Sequence, residues 1–289
     1  MVIANYFKAS FSRKIARRFF KKYQYSINNF LLPADGEIAF ANWQNPLIKP
    51  YTITQHEVDF FKSLFPAGSL VIDIGAHVGS LTVPMAIANG KNGLVLAFEP
   101  NPQVFEGLAL NASLNKEKYT IQPLQFGVAD EEANFHYASS EASLSNGGLV
   151  FGKDDNSLGK HKLKGQIKTV RLSKLLQEHY ANWLDKLRFI KIDAEGFDLA
   201  ILRDIKPLLA QYHPVVITEV FYSKHRKLSK PEREEIFEIF TSLGYLVYNI
   251  ENFEVSASIQ ELKKVLILSK EELPDGHTYN LLAMPTINK

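Results

Sequence analysis

The sequence predicts an α/β fold built on a mostly parallel sheet, with helices on both faces and an antiparallel edge. Short β-branched runs, such as Leu70–Ile74 and Leu94–Phe98, alternate with segments of helical periodicity, which is the pattern of a parallel sheet covered on both sides. The last two predicted strands, 245–250 and 264–268, have no helix between them, which indicates antiparallel pairing at one edge. The 289 residues, 46% apolar and 22% charged, are enough to bury a large core.

The other predicted elements follow in order along the chain. Proline and glycine within residues 31–53 indicate turns and a hairpin. Thr54 and Glu57 form a capping-box pattern ahead of a helix that stops at Pro66. The remaining predicted helices span 81–89, 104–114, 199–212 and 232–243, and the remaining predicted strands span 121–126, 189–192 and 215–218.

An insertion at about 134–187 interrupts this alternation, because too many residues separate the third and fourth strands for a simple crossover. It contains two small predicted strands, 134–137 and 167–172. A predicted helix follows at 173–183, with Ser173 as its cap.

Residues 139–165, inside the insertion, are rich in Ser, Gly, Asn and Lys. Loops of this length in compact domains commonly serve as binding lids. We therefore predict that this segment is mobile without ligand and becomes ordered when cofactor or acceptor binds.

The N-terminus differs in charge from the rest of the chain. Residues 1–30 hold seven Lys and Arg and no acid, whereas the other 259 residues hold 26 basic and 31 acidic side chains. We predict a basic amphipathic extension at 1–51 and the main domain at 52–289. Aromatic and aliphatic side chains recur at every fourth position of the extension: Phe7, Phe11, Ile15, Phe19 and Tyr23. Such a helix can lie on an anionic membrane surface, or its stripe can pack on its own or a partner domain, which is the commoner arrangement.

The composition excludes several classes of protein. The chain has no cysteine, which excludes a disulfide scaffold, a cysteine-based zinc site and a cysteine nucleophile. Its mildly acidic body is poorly suited to nucleic acid. It has neither an apolar run of transmembrane length nor the apolar region of a signal peptide. We therefore expect a cytoplasmic protein, peripheral to the membrane if residues 1–30 bind lipid.

Four acidic residues end predicted strands: Asp73, Glu99, Asp193 and Glu219. Ligands of such sheets bind at the carboxyl ends of the strands, so these carboxylates should share one rim. Gly75 and Gly79 give a tight turn from the first strand into a helix. Glu99, 20 residues after Gly79, has the spacing of an acid that binds both hydroxyls of a ribose. The alternative is a plain glycine turn beside a surface glutamate.

The turn favours S-adenosylmethionine over other nucleoside cofactors. Its middle position is His77, where a dinucleotide site has glycine, and Asp73 would be badly placed beside a pyrophosphate. The same carboxylate suits the amino group of S-adenosylmethionine. This cofactor carries no phosphate. The sequence has no P-loop pattern, so ATP is disfavoured as well.

Three ordered segments, 71–79, 97–102 and 190–196, resemble the FkbM-type methyltransferases. The resemblance spans about residues 52–221. It implies a class I methyltransferase with a Rossmann-like fold, which uses S-adenosylmethionine to O-methylate hydroxyls of sugars, polyketides or related metabolites. One departure from the family pattern is His77, where asparagine is usual, although backbone contacts of the turn should survive this change.

The resemblance also implies roles for residues of this chain. Glu99 holds the ribose, and Asp130 accepts from the adenine amino group, with a simple turn aspartate as the alternative. From its position at the end of the fourth strand, we expect Asp193 to accept the proton of the acceptor hydroxyl. The predicted cofactor-binding residues are Asp73, Gly75, Ala76, His77, Gly79, Glu99, Pro100, Val128 and Asp130, and the predicted catalytic residues are Asp193, Glu195 and Glu219.

Other assignments stay open at this point. Glu195 could support its loop, or join Asp193 and Glu219 on a divalent metal such as magnesium. Three histidines are rival bases: His77, His136 and His225. The expected acceptor is a small-molecule, sugar or glycan hydroxyl. The alternatives are a nucleic-acid methyltransferase and a non-catalytic module that retains the fold.

Overall fold

The computed structural model describes residues 2–223, 227–251 and 265–286, with the side chains from Ser10 onward. The helices are α1 Val2–Arg18, α2 Gln55–Leu64, α3 Thr82–Asn89, α4 Pro102–Ser113, α5 Leu172–His179, α6 Asp198–Tyr212 and α7 Lys230–Ser242. The strands are β1 Tyr25–Leu32, β2 Gly36–Trp43, β3 Leu70–Ile74, β4 Leu94–Phe98, β5 Ile121–Leu124, β6 Gly127–Val128, β7 Asn134–Ser139, β8 Gly148–Val150, β9 His161–Lys162, β10 Ile167–Val170, β11 Leu187–Ile192, β12 Val215–Val220, β13 Tyr245–Glu251, β14 Leu266–Ile267 and β15 Tyr279–Pro285. Short 3₁₀ helices span Ala181–Lys186 and Lys270–Glu272.

An eight-stranded sheet forms the centre of the protein, in the order β14-β13-β15-β12-β11-β3-β4-β5. The strands from β12 to β5 are parallel, and β15, β13 and β14 are antiparallel. The predicted mostly parallel sheet with an antiparallel edge is therefore confirmed. The chain runs outward from β3 to β5 and then returns to β11 on the other side of β3. Strands β3 and β11 thus flank the switch point, where such sheets bind ligands.

Two apolar cores lie on opposite faces of this sheet, because successive side chains of a strand point to opposite sides. Leu70 and Ile72 of β3 belong to the core that α5, α6 and α7 cover. Val71, between them, belongs to the core that α2, α3, α4 and the β1–β2 hairpin cover. Helices on both faces are therefore confirmed as well.

The antiparallel edge contains one strand that the sequence analysis missed. β15 lies between β12 and β13, and Leu281, Leu282 and Ala283 within it are fully buried. Both faces of β15 are covered, so its sequence lacks the alternation that marks a half-buried strand. The expected antiparallel pairing of 245–250 with 264–268 is found between residues 247–248 and 266–267, and residue 264 lies outside the described residues.

The insertion, together with β6 just before it, folds as a small sheet in the order β6-β10-β7-β8, with β9 paired to β7. The predicted helix at 173–183 is confirmed over 173–179 only, since α5 ends at His179 and a 3₁₀ helix follows. Ser173 is not the cap. Its N–H and hydroxyl both donate to Asp204 of α6, at 2.9 and 2.7 Å, so a carboxylate from another helix satisfies the first turn of α5.

The N-terminal residues form α1 and then the hairpin β1–β2, which starts before the predicted turns of 31–53. Asn111 of α4 holds the hairpin, since it accepts from the Ala41 N–H at 2.7 Å and donates to the Ala41 carbonyl oxygen at 3.2 Å. Phe11 and Phe19 are 65% and 64% exposed, so at these positions the aromatic stripe does not pack on the described part of the chain. None of the described helices is long and apolar enough to cross a membrane.

Candidate cofactor-binding and active site

The turn after β3 is held against the end of β4. The N–H groups of Gly75 and Ala76 donate to the Phe98 carbonyl oxygen at 3.0 and 2.9 Å. Gly75 has a φ of 76°, and a Cβ at this position would lie 2.0 Å from the Asp193 carbonyl oxygen. Glycine is therefore required for the β3 turn to lie this close to the loop after β11.

Glu99 is a buried carboxylate at the carboxyl end of β4. Its Oε2 accepts from the His77 N–H at 3.1 Å, and its Oε1 accepts from the Asn101 N–H at 2.8 Å. Burial raises the pKa of Glu99 to about 7, although these two backbone donors oppose the shift. Glu99 lines a cavity of about 60 Å³. Because each carboxylate oxygen can accept more than one hydrogen bond, Glu99 can still accept from the hydroxyls of a ribose.

Lys191 is a buried cation between two carboxylates. The pairing of β11 with β3 sets Lys191 beside Asp73. The Lys191 Nζ lies 3.5 Å from Asp73 Oδ1 and 3.1 Å from Asp193 Oδ2. Burial disfavours the charged ammonium, but the carboxylates of Asp193 and Asp73 outweigh this effect and raise the pKa of Lys191.

Asp73 itself is fully buried, and its Oδ2 accepts from the Thr82 hydroxyl at 2.6 Å. Asp73 is not among the described residues that line the 60 Å³ cavity. Asp73 thus contacts both Lys191 of β11 and Thr82, the first residue of α3. Its contact with the amino group of a cofactor stays a prediction.

Three further carboxylates lie at the ends of β11 and β12. Asp193 and Glu195 line the same cavity as Glu99. Glu219 has an Oε2 atom that is buried and makes no hydrogen bond with the described residues. Burial, together with the charges of Asp193, Asp198 and Glu195, raises the pKa of Glu219 to about 10. The protonated form of Glu219 is therefore favoured.

The loop that carries Glu195 is shaped by Asp198, the first residue of α6. The Asp198 carboxylate accepts from the N–H groups of Ala194 and Gly196 at 3.2 and 3.0 Å. Glu195 has a φ of 51°, a conformation that few residues other than glycine adopt. Such backbone strain is commonest at functional sites, and here it accompanies a carboxylate on the cavity wall.

The cover, defined here as residues 139–150 of the insertion, lies across this cavity. The Leu144 carbonyl oxygen accepts from the Asn101 side-chain amide at 2.7 Å, and His77 Nε2 lies 3.0 Å from the Ser145 carbonyl oxygen. Burial lowers the pKa of His77, so its neutral ring can donate this bond. The cavity wall on this side consists of Gly147, Gly148 and Leu149. The cavity, about 60 Å³ in volume, is smaller than ligand pockets of about 300–1,000 Å³.

The same cover is tied to α1. The Ala142 N–H donates to the Arg17 carbonyl oxygen at 3.0 Å, and the Ser143 N–H donates to the Ala16 carbonyl oxygen at 3.1 Å. The Arg17 Nε also lies 3.7 Å from a Glu141 carboxylate oxygen. These bonds satisfy carbonyl groups that the end of a helix leaves free. The basic N-terminal helix and the cover of the cavity are therefore directly connected.

The other predicted site residues are divided between this cavity and the rest of the molecule. Pro100 and Val128 line the cavity. Asp130 is exposed and lines a different cavity, so nothing in its position supports the expected adenine contact. His136 lies within β7 of the small sheet. His225 lies outside the described residues.

Two residues at this site were missed by the sequence analysis. Asn101 caps α4 by accepting from the Gln103 N–H at 3.0 Å, and its amide holds the cover. An asparagine followed by proline is a helix-start signal and could have identified Asn101. Tyr137 is buried and donates to the Gly147 carbonyl oxygen at 2.9 Å, and burial raises its pKa well above 10. No local signal marked Tyr137, because its role depends on how the insertion folds.

Magnesium was the second cofactor that the sequence suggested. Among the described residues, no group of three or more His, Asp or Glu side chains is placed to hold a metal ion. The expected ligand set of Asp193, Glu195 and Glu219 therefore has no support there, and one of its members, Asp193, is paired with Lys191.

Residues 73–247 match the methyltransferase FkbM domain family. The chain belongs to this family. It is 25% identical over 187 residues to the methyltransferase sdnD of Sordaria araneosa, across 54% of this chain and 71% of sdnD. It is 24% identical over 149 residues to the hexuronic acid methyltransferase AglP of Haloferax volcanii, across 50% of this chain and 53% of AglP. Membership confirms the resemblance seen in the sequence, and the chain is an S-adenosylmethionine-dependent methyltransferase of the FkbM type.

A solved structure with a similar fold is the methyltransferase FkbM from Methylobacillus flagellatus KT. The TM-score is 0.45 and the sequence identity 12%, over 79% of this chain and 51% of that chain. The chain thus spans about half the length of AglP and of this crystallised protein.

Proposed function

We propose that this methyltransferase transfers a methyl group from S-adenosylmethionine to a hydroxyl oxygen of a small molecule, sugar or glycan. The observation that carries the proposal is the pair of carboxylates, Asp193 and Glu195, on the wall of the cavity that Glu99 also lines. A hydroxyl is a weak nucleophile until its proton is removed, and these carboxylates are suited to accept that proton. The similarity to AglP, a hexuronic acid methyltransferase by name, supports a sugar as the acceptor.

The residues around the cavity fit S-adenosylmethionine. Glu99 offers two carboxylate oxygens to a ribose, and the apolar side chains of Phe98, Pro100, Phe126 and Val128 line the wall where an adenine can lie. When bound, the cofactor supplies a methyl group on a sulfonium sulfur that leaves as a thioether. The cover must move for a molecule of this size to enter, because residues 147–149 narrow the cavity to about 60 Å³.

The three carboxylates predicted to be catalytic differ in their ability to accept a proton. Burial and the neighbouring carboxylates raise the pKa of Glu219, which favours its protonated form. Of the three, Glu219 is therefore the least suited to accept a proton. Asp193 is held in place by Lys191, and its side chain is 41% exposed. We therefore assign proton acceptance to Asp193, with Glu195 as the second carboxylate that faces the acceptor.

Methyl transfer from labelled S-adenosylmethionine to a panel of sugars and lipid-linked glycans tests this proposal. We expect transfer to a hydroxyl both with and without a chelator. Activity that disappears with the chelator would restore magnesium to the mechanism. Labelling of RNA or DNA instead of the panel would identify a nucleic-acid methyltransferase. Absence of cofactor binding in calorimetry would favour the non-catalytic module.

We also propose that the N-terminal segment contacts an anionic membrane surface. Phe11, Phe19 and Phe20 are 65%, 64% and 59% exposed, among the basic residues of 13–22. Exposed aromatic rings next to Lys and Arg are typical of segments that bind anionic interfaces. We expect the protein to float with phosphatidylglycerol vesicles and not with phosphatidylcholine vesicles. Equal recovery with both types of vesicle would contradict this proposal. The cytoplasmic location of the protein stays a prediction.

A further inference from the structure

A second, larger cavity adjoins the cofactor cavity. Its volume is about 490 Å³, and it is bounded by the insertion and by the loop after β12. Glu195 and Gly147 line both cavities, so these two residues form the wall between them. The larger cavity has the volume of a small-ligand pocket, typically about 300–1,000 Å³.

We infer that this second cavity is the acceptor site and that it binds a sugar ring. The inference rests on the proposed function, because it needs a methyl group delivered from the neighbouring cavity. Displacement at a methyl carbon requires the attacking oxygen on the side opposite to the leaving sulfur. Glu99 and Glu195 both line the smaller cavity, and of these two only Glu195 also lines the larger one. An acceptor in the larger cavity therefore reaches the reacting methyl from the Glu195 side.

The lining of the second cavity indicates the class of acceptor. It combines two exposed amides, Asn146 and Asn156, with the Ser157 hydroxyl and the aromatic rings of Phe221 and Tyr222. A sugar ring has a rim of hydroxyl groups that pair with amides and hydroxyls, and a face of C–H groups that packs on aromatic rings. A flat apolar acceptor would cover these polar groups without giving them hydrogen-bond partners.

Tyr222 is fixed at this cavity by its backbone. Its N–H donates to the Thr278 hydroxyl oxygen at 3.0 Å, and the Thr278 hydroxyl donates to the Tyr222 carbonyl oxygen at 3.0 Å. The Lys227 Nζ lies 5.5 Å from the centre of the Tyr222 ring. The Thr278 hydroxyl thus fixes the Tyr222 backbone at the cavity, and the Lys227 ammonium lies over the ring.

At the junction of the two cavities, a methyl group passes from the sulfonium sulfur to a sugar oxygen. The bond between the methyl carbon and sulfur breaks with its electron pair on sulfur, and a sugar oxygen forms the new C–O bond. The hydroxyl proton passes to the carboxylate of Asp193, the assigned proton acceptor, which later releases it to solvent. The products are the methyl ether and S-adenosylhomocysteine.

Binding of methyl glycosides to the full chain, saturated with S-adenosylhomocysteine, tests the inference by ligand-observed NMR. The probes are the methyl glycosides of glucose, galactose, mannose and N-acetylglucosamine, with catechol as a flat aromatic diol. We expect at least one glycoside to bind, and Asn156→Ala and Tyr222→Ala each to raise its Kd about five- to tenfold. Tyr222→Phe should retain binding, because it keeps the ring. Asn134→Ala is the matched control, since Asn134 is an exposed asparagine that lines a separate cavity of about 440 Å³.

Each contrary outcome has a distinct meaning. If the protein binds S-adenosylhomocysteine but none of the glycosides, the sugar assignment is wrong, and catechol binding would then indicate an aromatic acceptor. If a glycoside binds to Asn156→Ala and to Tyr222→Ala with the same Kd as to the wild-type protein, the proposed location of the acceptor site is wrong. If S-adenosylhomocysteine itself does not bind in calorimetry, the proposed function fails, and the inference fails with it. Circular dichroism establishes that each variant is folded.

Discussion

The rim of the central sheet and the cover from the insertion enclose the same cavity, but different interactions hold them. At the rim, strand pairing sets Lys191 beside Asp73, and two backbone N–H groups hold Glu99. The cover is held by single hydrogen bonds to His77 and Asn101, by two backbone bonds to α1, and by the pairing of β8 with β7. Breaking the rim would disrupt the central sheet, whereas opening the cover would break these bonds and expose Leu144 and Leu149, which are buried in the core. We therefore propose that the rim positions the reactants and that the cover controls access to them.

The largest effect is expected from Asp193→Asn at the rim. Asparagine preserves the size of the side chain but cannot accept the hydroxyl proton, so kcat should fall by about 10²–10⁴. Cofactor binding should be nearly unchanged, because Glu99 and the β3 turn remain. Steady-state kinetics and calorimetry measure the two effects. Asp185→Asn, an exposed aspartate away from the cavity, is the control, and wild-type turnover in Asp193→Asn would make Asp193 a structural residue.

Gly75→Ala tests whether the rim is as rigid as its contacts indicate. The new Cβ would lie 2.0 Å from the Asp193 carbonyl oxygen, so we expect a loss of about 3 kcal/mol in the free energy of unfolding. Gly68→Ala is the matched control, because Gly68 has a similar φ of 83° but no atom within 4 Å of the new Cβ. Gly68→Ala should lose only about 1–2 kcal/mol in the free energy of unfolding. Equal losses in urea denaturation would show that the rim can shift to accommodate a methyl group.

Glu99→Ala tests the binding role of the rim. Loss of the charge-assisted contacts to two ribose hydroxyls should cost about 2–3 kcal/mol of cofactor affinity. Isothermal titration calorimetry with S-adenosylmethionine measures this loss of affinity. Glu106→Ala, an exposed glutamate on α4, is the control. An unchanged Kd in folded Glu99→Ala would mean that the ribose lies elsewhere.

The raised pKa of Glu99 also predicts a pH dependence. Burial raises this pKa to about 7, so the carboxyl is mostly protonated at lower pH and loses its charge. Cofactor affinity should therefore rise with pH up to about 7, by at most about tenfold per pH unit, and then level off. Titrations between about pH 5.5 and 8.5 measure this dependence. The slope should disappear in Glu99→Gln, and a slope that persists in that variant would assign the titration to another group.

The smallest effect concerns the cover and its attachment to α1. Deleting residues 1–18 removes the carbonyl acceptors of the Ala142 and Ser143 N–H groups, so amide exchange in 140–150 should accelerate about fivefold or more. S-adenosylmethionine should change exchange in this segment of the full chain, whereas β3 and β4 should stay protected. Exchange in 140–150 that responds neither to the deletion nor to the cofactor would contradict the predicted lid.

The sequence alone determined the parallel part of the sheet and its functional rim. Alternating runs predicted β3, β4, β11 and β12, and the capping pattern at Thr54 and Glu57 predicted α2, where both hydrogen bonds of the box are present. The acids at strand ends predicted which residues meet at one edge. Such features are legible because periodicity, capping and turn chemistry depend on neighbours within a few positions.

Only the tertiary structure decided how these parts are joined. It placed β15 between β12 and β13, far from either in the chain, and it paired Asp73 with Lys191. It also laid the cover over Glu99 and attached it to α1 through main-chain bonds at Ala142 and Ser143. Main-chain hydrogen bonds of this kind carry no side-chain signature, and buried ion pairs join residues that are distant in sequence. Such contacts are selected by the packing of the whole chain, so no local pattern specifies them.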